Sequence, residues 1–236
     1  MADFARVRAI DIETTGDAKD GGRMVEIGWS DVLLHRNGEK TFPGGNSAML
    51  NPGMPIPLVA KSIHHISDDD VKWAPTDHRP MINKVLTGAD IFVAHSATYD
   101  RAFLPSVEQP WICTYRVAHR VYPDAERHGL QYLRYYAGLK LEEKRSFPTH
   151  RAGPDAYVTA MLFAKMLEQM PLARMIEVSE RPVLLHRCTF GQYAGTPWAD
   201  IARVHPGYLQ WLTVQPWVVE NEDLRFTTTQ WLRGAA

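Results

Sequence analysis

Cysteine is scarce: the chain holds only Cys113 and Cys188, far apart and without a CxxC pair. That excludes a disulfide-built scaffold and a thiolate zinc site, and it fits a reducing compartment. Long apolar runs are missing too, so no segment is expected to cross a bilayer as a helix. The N-terminal MADFARVRAID lacks the basic-then-apolar layout of a secretory leader, and a cytoplasmic protein with no membrane partner is expected. Charge of one sign is absent as well: 26 Lys and Arg stand against 27 Asp and Glu, a net of −1. A protein that wraps a duplex neutralises many phosphates and usually carries a clear basic excess, so extensive wrapping is disfavoured. A site that grips only a few nucleotides remains open, because bound divalent ions and a few arginines can meet the phosphate charge. There is no internal repeat and no low-complexity tract. What is present, 45% apolar and 22% charged residues in 236, is ordinary for a globular chain with one sizeable domain and room for a small second unit.

Residues 6–12 (RVRAIDI) alternate, and 24–34 (MVEIGWSDVLL) resume a strand pattern after the Gly21-Gly22 turn. With a third strand over 41–50 they predict an antiparallel meander. A Pro-rich loop (NPGMPIP) then leads to a short helix at 58–63, and Ser67 followed by three aspartates predicts an N-cap. IFVAHS (91–96) has the length of a buried strand, ATYDRAFL takes helical spacing, and a short strand is expected at 111–113. Helices follow near 115–122 and 129–138, and a long one from Pro154 to about Met170. The order predicts an α/β fold, a mixed sheet flanked by helices. Pro171 and the 180–182 turn mark a boundary between a domain at 1–172 and a module at 182–236. The module, with a hairpin-like CTFGQYAGTPW and an amphipathic stretch, is expected to be a small α+β extension.

Asp11 and Glu13 lie two apart on the first strand, so both carboxylates share one face. Thr14, Thr15 and Gly16 end that strand in a turn whose backbone amides can approach a ligand closely. Asp100 falls in the first turn of the helix after the buried strand, where sheet crevices bind ligands. Asp155 occupies a first helical turn after Pro154. Each acid alone has a plain reading as a solvated strand end or a helix-terminus charge. Four carboxylates converging on one point repel, and two divalent cations relieve the repulsion while clamping both oxygens of a phosphodiester. Oxygen ligands favour Mg²⁺ or Mn²⁺ over zinc. His150 lies five residues before Asp155, on a loop set off by Gly153-Pro154, and its ordinary pKa of about 6.5 suits proton removal at neutral pH.

DIETTG (11–16), AHSATYD (94–100) and HRAGPD (150–155) resemble, in order and separation, the motifs of the DEDDh 3′→5′ exonucleases, the group of polymerase proofreading subunits and RNase T. The resemblance covers roughly residues 6–170. It implies a ribonuclease H-like sheet, two metals held by Asp11, Glu13, Asp100 and Asp155, and His150 as general base. WICT (111–114) and the tail FGQYAGTPWADIARVHPGYLQWL (190–212) are similar to a bacterial DNA-directed branch of the family. That resemblance implies single-stranded DNA as substrate, with RNA as the alternative. His64, in SIHHIS, matches a histidine near the nucleotide cleft of relatives, beside its plain reading as a packing or capping residue. Two departures stand out. Ser96 replaces the usual Asn, which bears on a supporting hydrogen bond, and Gly153-Pro154 replaces bulkier residues, which bears on the freedom of His150.

Ile12 and Phe103, beside the acids, are placed to pack on the last base or sugar, although core packing is the stronger reading for Phe103. Thr14, Thr15, His64 and Ser96 complete the expected substrate contacts. Lys140, Lys144, Arg145 and Arg151 flank the histidine loop, as phosphate partners or as a solvated charged surface. The tail rings Phe190, Tyr193, Trp198, Tyr208 and Trp211 build a small core, or lie exposed to stack on a strand or dock a partner. The expected activity is hydrolysis of 5′-mononucleotides from single-stranded DNA ends in repair or end processing. Two alternatives stay open: an exoribonuclease trimming RNA ends or short oligonucleotides, and a proofreading or accessory module that meets a polymerase or repair partner through its tail. Many relatives pair, so a homodimer is also open.

Overall fold

The computed structural model describes residues 3–234. Strands β1 (Phe4–Thr14), β2 (Met24–His35) and β3 (Lys40–Met49) form the expected meander. Helices α1 (Leu58–His64), α2 (Asp68–Val71) and α3 (Arg79–Leu86) cross back to β4 (Ile91–Ala94), which runs parallel to β1. After α4 (Ala97–Arg101), β5 (Trp111–Cys113) adds in parallel to β4 and completes a mixed sheet of order β3-β2-β1-β4-β5. Helices α5 (Thr114–Val121), α6 (Leu130–Tyr136), α7 (Glu143–Ser146), α8 (Ala152–Met166) and α9 (Leu172–Ser179) follow. This is a ribonuclease H-like arrangement.

Strand alternation decides which helices cover which face. Val7 and Ala9 of β1 join Ile91 and Val93 of β4 against α8, in a core that also takes Met175 and Val178 of α9. Ile10 and Ile12 turn to the other face, where Phe92, Ala94 and Val85 meet them. Asp11 and Glu13 continue the Val7 and Ala9 face, so the two acids look toward α8 rather than α3. A buried fork, Arg8 Nε and Nη2 to Asp31 Oδ1 and Oδ2 at 2.7 and 2.8 Å, ties β1 to β2 on the opposite face. In β3, Pro43 falls where the pairing register with β2 shifts, between Asp31 and Leu33.

Two local expectations hold in detail. Ser67 caps α2, its Oγ accepting from the Asp70 N–H while the Asp70 carboxylate accepts from the Ser67 N–H at 2.7 Å. Both cysteines are buried and unpaired. Others shift. β4 stops at Ala94, two residues early, because Ser96 adopts φ 67°, ψ 47° and turns the chain into α4. α8 begins at Ala152 rather than Pro154, since a proline in the first turn removes only an N–H that has no helical partner.

The tail differs most. The expected hairpin is one isolated antiparallel bridge, Arg187 with Pro197, backed by Cys188 N–H to Thr196 O at 2.9 Å and Gly195 N–H to Cys188 O at 2.8 Å. Pro197 has no N–H to extend a ladder, and Gly191 and Gly195 at positive φ curl the intervening chain. Otherwise the tail consists of α10 (Trp198–Val204), α11 (Pro206–Thr213), α12 (Pro216–Glu220) and α13 (Glu222–Gly234), so a helical module stands where an α+β one was expected. Trp198, Ile201, Leu209, Leu212 and Val218 form its own core, while Trp211 and Trp217 are exposed, so the rings divide between the two readings. Arg116 of α5, almost fully buried, joins tail to body through Glu222, Asp223 and the Ser179 carbonyl. Among the described residues no helix is long and apolar enough to cross a membrane.

Candidate active site

Carboxylate oxygens of Asp11, Glu13 and Asp155 lie within 4.8 Å of one another, the only such group of metal-ligating side chains among the described residues. The first two come from alternate positions of β1. The third arrives on the first turn of α8, which reaches the sheet because Gly28, paired with Asp11 across the β1–β2 register, offers no side chain. Asp100 approaches from α4. It is 3% exposed, the nearby Ile12 backbone amide favours its charged form, and its negative charge acts on Asp11.

Burial and mutual repulsion dominate the electrostatics of the four acids. Burial, then the charges of Asp100, Asp155, Glu13 and Glu26, holds the Asp11 carboxyl well above its usual range. Burial likewise holds Asp100 well above its range. Glu13 is raised to about 7, by burial first and then by Asp155 and Glu26, with the Arg151 guanidinium opposing. Asp155 is raised to about 6 by burial, against the His150 backbone amide, the His150 charge and the Gln131 side-chain amide. All four acids thus resist ionising together. A hard divalent cation among oxygen donors would remove that penalty, so the donor set fits such an ion.

His150 is exposed and sits at φ 56°, on the loop between α7 and α8. Its backbone N–H donates to Asp155 Oδ2 at 3.1 Å, and Gln131 Nε2 donates to Oδ1 at 2.6 Å. Those two bonds orient the Asp155 carboxylate from both sides. Ser96 is exposed at the turn before α4.

Several expected contacts are otherwise engaged. Ile12 points into the core at 5% exposure, because the alternation that pairs Asp11 with Glu13 sends it to the opposite face. Thr14 Oγ1 bonds Tyr99 Oη at 2.5 Å and the Gly16 carbonyl at 3.0 Å, and Thr15 Oγ1 accepts from the Arg23 N–H at 2.9 Å. Both hydroxyls therefore hold the loop that follows the acids. His64 is buried; its Nδ1 accepts from the Ile66 N–H at 3.0 Å, while its Nε2 has no hydrogen-bond partner among the described residues. Phe103 packs against the α3 side core with its ring 5.5 Å from that of Tyr99. Arg145 pairs with Glu142 and lies 4.1 Å over the Tyr157 ring, and Arg151 pairs with Glu26, whereas Lys140 and Lys144 are exposed.

Sequence reasoning missed Glu26, Gln131 and Gly28. Glu26 left a trace, as an acid inside the apolar run MVEIGW. Gln131 left none.

Comparison with known proteins agrees with this geometry. The RNase T family of exonucleases matches residues 9–163. Exodeoxyribonuclease 10 of Escherichia coli is 34% identical over 211 residues, covering 87% of this chain and 90% of that protein. The PolC-type DNA polymerase III of Caldanaerobacter subterraneus is 30% identical over 188 residues, 75% of this chain and 13% of that much longer protein. The solved structure of exonuclease X in complex with 5′ overhanging duplex DNA superposes with a TM-score of 0.62 at 27% identity, covering 73% of this chain and 99% of that one. The chain belongs to the RNase T exonuclease family, whose 3′→5′ exonucleases depend on divalent metals.

Proposed function

We propose that this protein is a 3′→5′ exodeoxyribonuclease that releases 5′-mononucleotides from single-stranded DNA ends. The convergence of Asp11, Glu13 and Asp155 within 4.8 Å carries the reading. With Asp100 these acids would hold two Mg²⁺ or Mn²⁺ ions. Such ions supply Lewis-acid polarisation of the phosphodiester and charge neutralisation at its oxygens. The chain's own part is to hold four carboxylates in a partly dry cleft and to place an exposed imidazole beside them. A ring nitrogen of His150 takes the proton of the attacking water, a role suited to its exposed position on the loop before α8. The names of the relatives favour DNA over RNA.

The two buried, unpaired cysteines suit the cytoplasm. The tail exposes Trp211, Val214 and Trp217, and a polymerase, a repair protein or a second copy would dock there; co-elution with a polymerase core checks it.

The test is timed digestion of a 5′-labelled single-stranded DNA oligomer with Mg²⁺ or Mn²⁺, with EDTA, a matched RNA and Asp11→Asn protein in parallel. A ladder shortening from the 3′ end, lost with EDTA and in the variant, is expected. Faster cleavage of RNA would turn the assignment to an exoribonuclease, and no cleavage of either polymer by folded protein would sink it.

A further inference from the structure

Glu26 is 1% exposed near the start of β2, and it faces Glu13 directly across the β1–β2 register. Like charges in that relation repel, and a buried carboxylate is costly unless it is fully bonded. Four donors meet it. Arg151 Nε reaches Oε2 at 2.8 Å and Nη2 reaches Oε1 at 3.2 Å, the Ala152 N–H donates to Oε2 at 3.1 Å, and Ser47 Oγ to Oε1 at 2.8 Å. Three of the four come from Arg151 and Ala152, the two residues that follow His150.

Holding α8 against the sheet does not require this cluster. The helix is seated by its buried face and by the backbone contact at Gly28. What the Arg151 fork adds is direction. A planar guanidinium bonded twice to one carboxylate is fixed in angle as well as distance, so the residue that carries it is fixed too. The neighbouring His150 sits at φ 56°, in the left-handed region that few non-glycine residues occupy.

We propose that Glu26 and Arg151 form a positioning clamp that sets the backbone angle at His150, and with it the place of the imidazole over the carboxylates. This rests on the reading of His150 as general base. Arg151 is then a positioning residue acting through its neighbour, and the Glu26 carboxylate is its anchor.

The experiment compares wild type, Arg151→Met, Arg151→Lys, His150→Gln and the His150→Gln/Arg151→Met double variant. It measures kcat and KM on a single-stranded DNA oligomer, melting temperature, and Mn²⁺ affinity by calorimetry. Arg151→Met is expected to lower kcat about 10- to 100-fold while KM and Mn²⁺ affinity stay within about twofold. Lys, a point charge in place of a fork, restores part of the loss. In the His150→Gln background Arg151→Met costs nothing further, since the residue it positions is gone. A full additional loss in that background, or a fall in Mn²⁺ affinity parallel to kcat, would overturn the clamp. So would unchanged kcat in Arg151→Met beside an inactive His150→Gln, which leaves the base reading standing. Wild-type turnover by His150→Gln removes the base reading and the clamp together. If Arg151→Met does not fold, Arg151→Lys carries the same comparison, with its own double variant.

Discussion

Gly28 of β2 and Ala152 of α8 touch backbone to backbone: a Cβ on Gly28 would fall 2.1 Å from both the carbonyl carbon and oxygen of Ala152. Real side chains never approach so closely, so any other residue here pushes the start of α8 off the sheet, and Asp155 moves with it. Gly28→Ala is expected to cost about 1–3 kcal/mol or more, the range for forcing atoms into a packed core. Thermal melting reads the stability loss, and nuclease activity at a temperature where the variant is still folded reads the displaced acid. An Ala variant with wild-type melting and turnover would mean that the contact is soft.

Ser96 holds φ 67°, ψ 47°, a left-handed conformation in which asparagine is at less disadvantage than serine. Ser96→Asn should therefore stabilise the protein by about 0.5–1 kcal/mol, a rise of roughly 1–4 °C in Tm for a chain of this size. Ser96→Val, a β-branched residue, should lower it. Differential scanning calorimetry on the pair separates backbone preference from side-chain contacts.

The acid cluster predicts an inverted pH profile for metal-free protein. Glu13, raised to about 7, and Asp155, raised to about 6, bind protons more readily folded than unfolded. Their folded-state pKa lies above the unfolded one, so stability falls as pH climbs from about 4 toward 7. In EDTA, Tm should drop between about pH 5 and pH 7.5, and Mg²⁺ or Mn²⁺ should raise it more at the higher pH, where the acids are free to bind. A metal-induced shift that is largest at low pH would contradict this coupling.

Gln131 is the side chain that holds Asp155 Oδ1. Replacing it with Leu removes a donor to the charged carboxylate while keeping similar bulk. Metal affinity is expected to weaken about 10- to 100-fold, as when other partners that orient metal ligands are lost. Calorimetric Mn²⁺ titration of the folded variant measures it directly, without recourse to turnover.

How far these features could be read in advance depended on their range along the chain. Asp11 and Glu13 were legible because strand alternation is local, and the same alternation should have placed Ile12 in the core. Asp100 and Asp155 were legible through motif order. Glu26 was not, because its partner Arg151 lies 125 positions away and only the sheet and α8 bring them together. Gln131 and Asp155, 24 apart on different helices, pose the same difficulty. In the tail, the stretch CTFGQYAGTPW read as hairpin-like, but Pro197 carries no donor for a ladder, and helices took the residues that follow.

One of the two edge strands, β3, carries Pro43 at its register shift and glycines at 44 and 45. A foreign strand seeking to prolong the sheet would meet a missing donor and a kink partway along that border. At that border, growth of the sheet by strand-to-strand pairing is disfavoured.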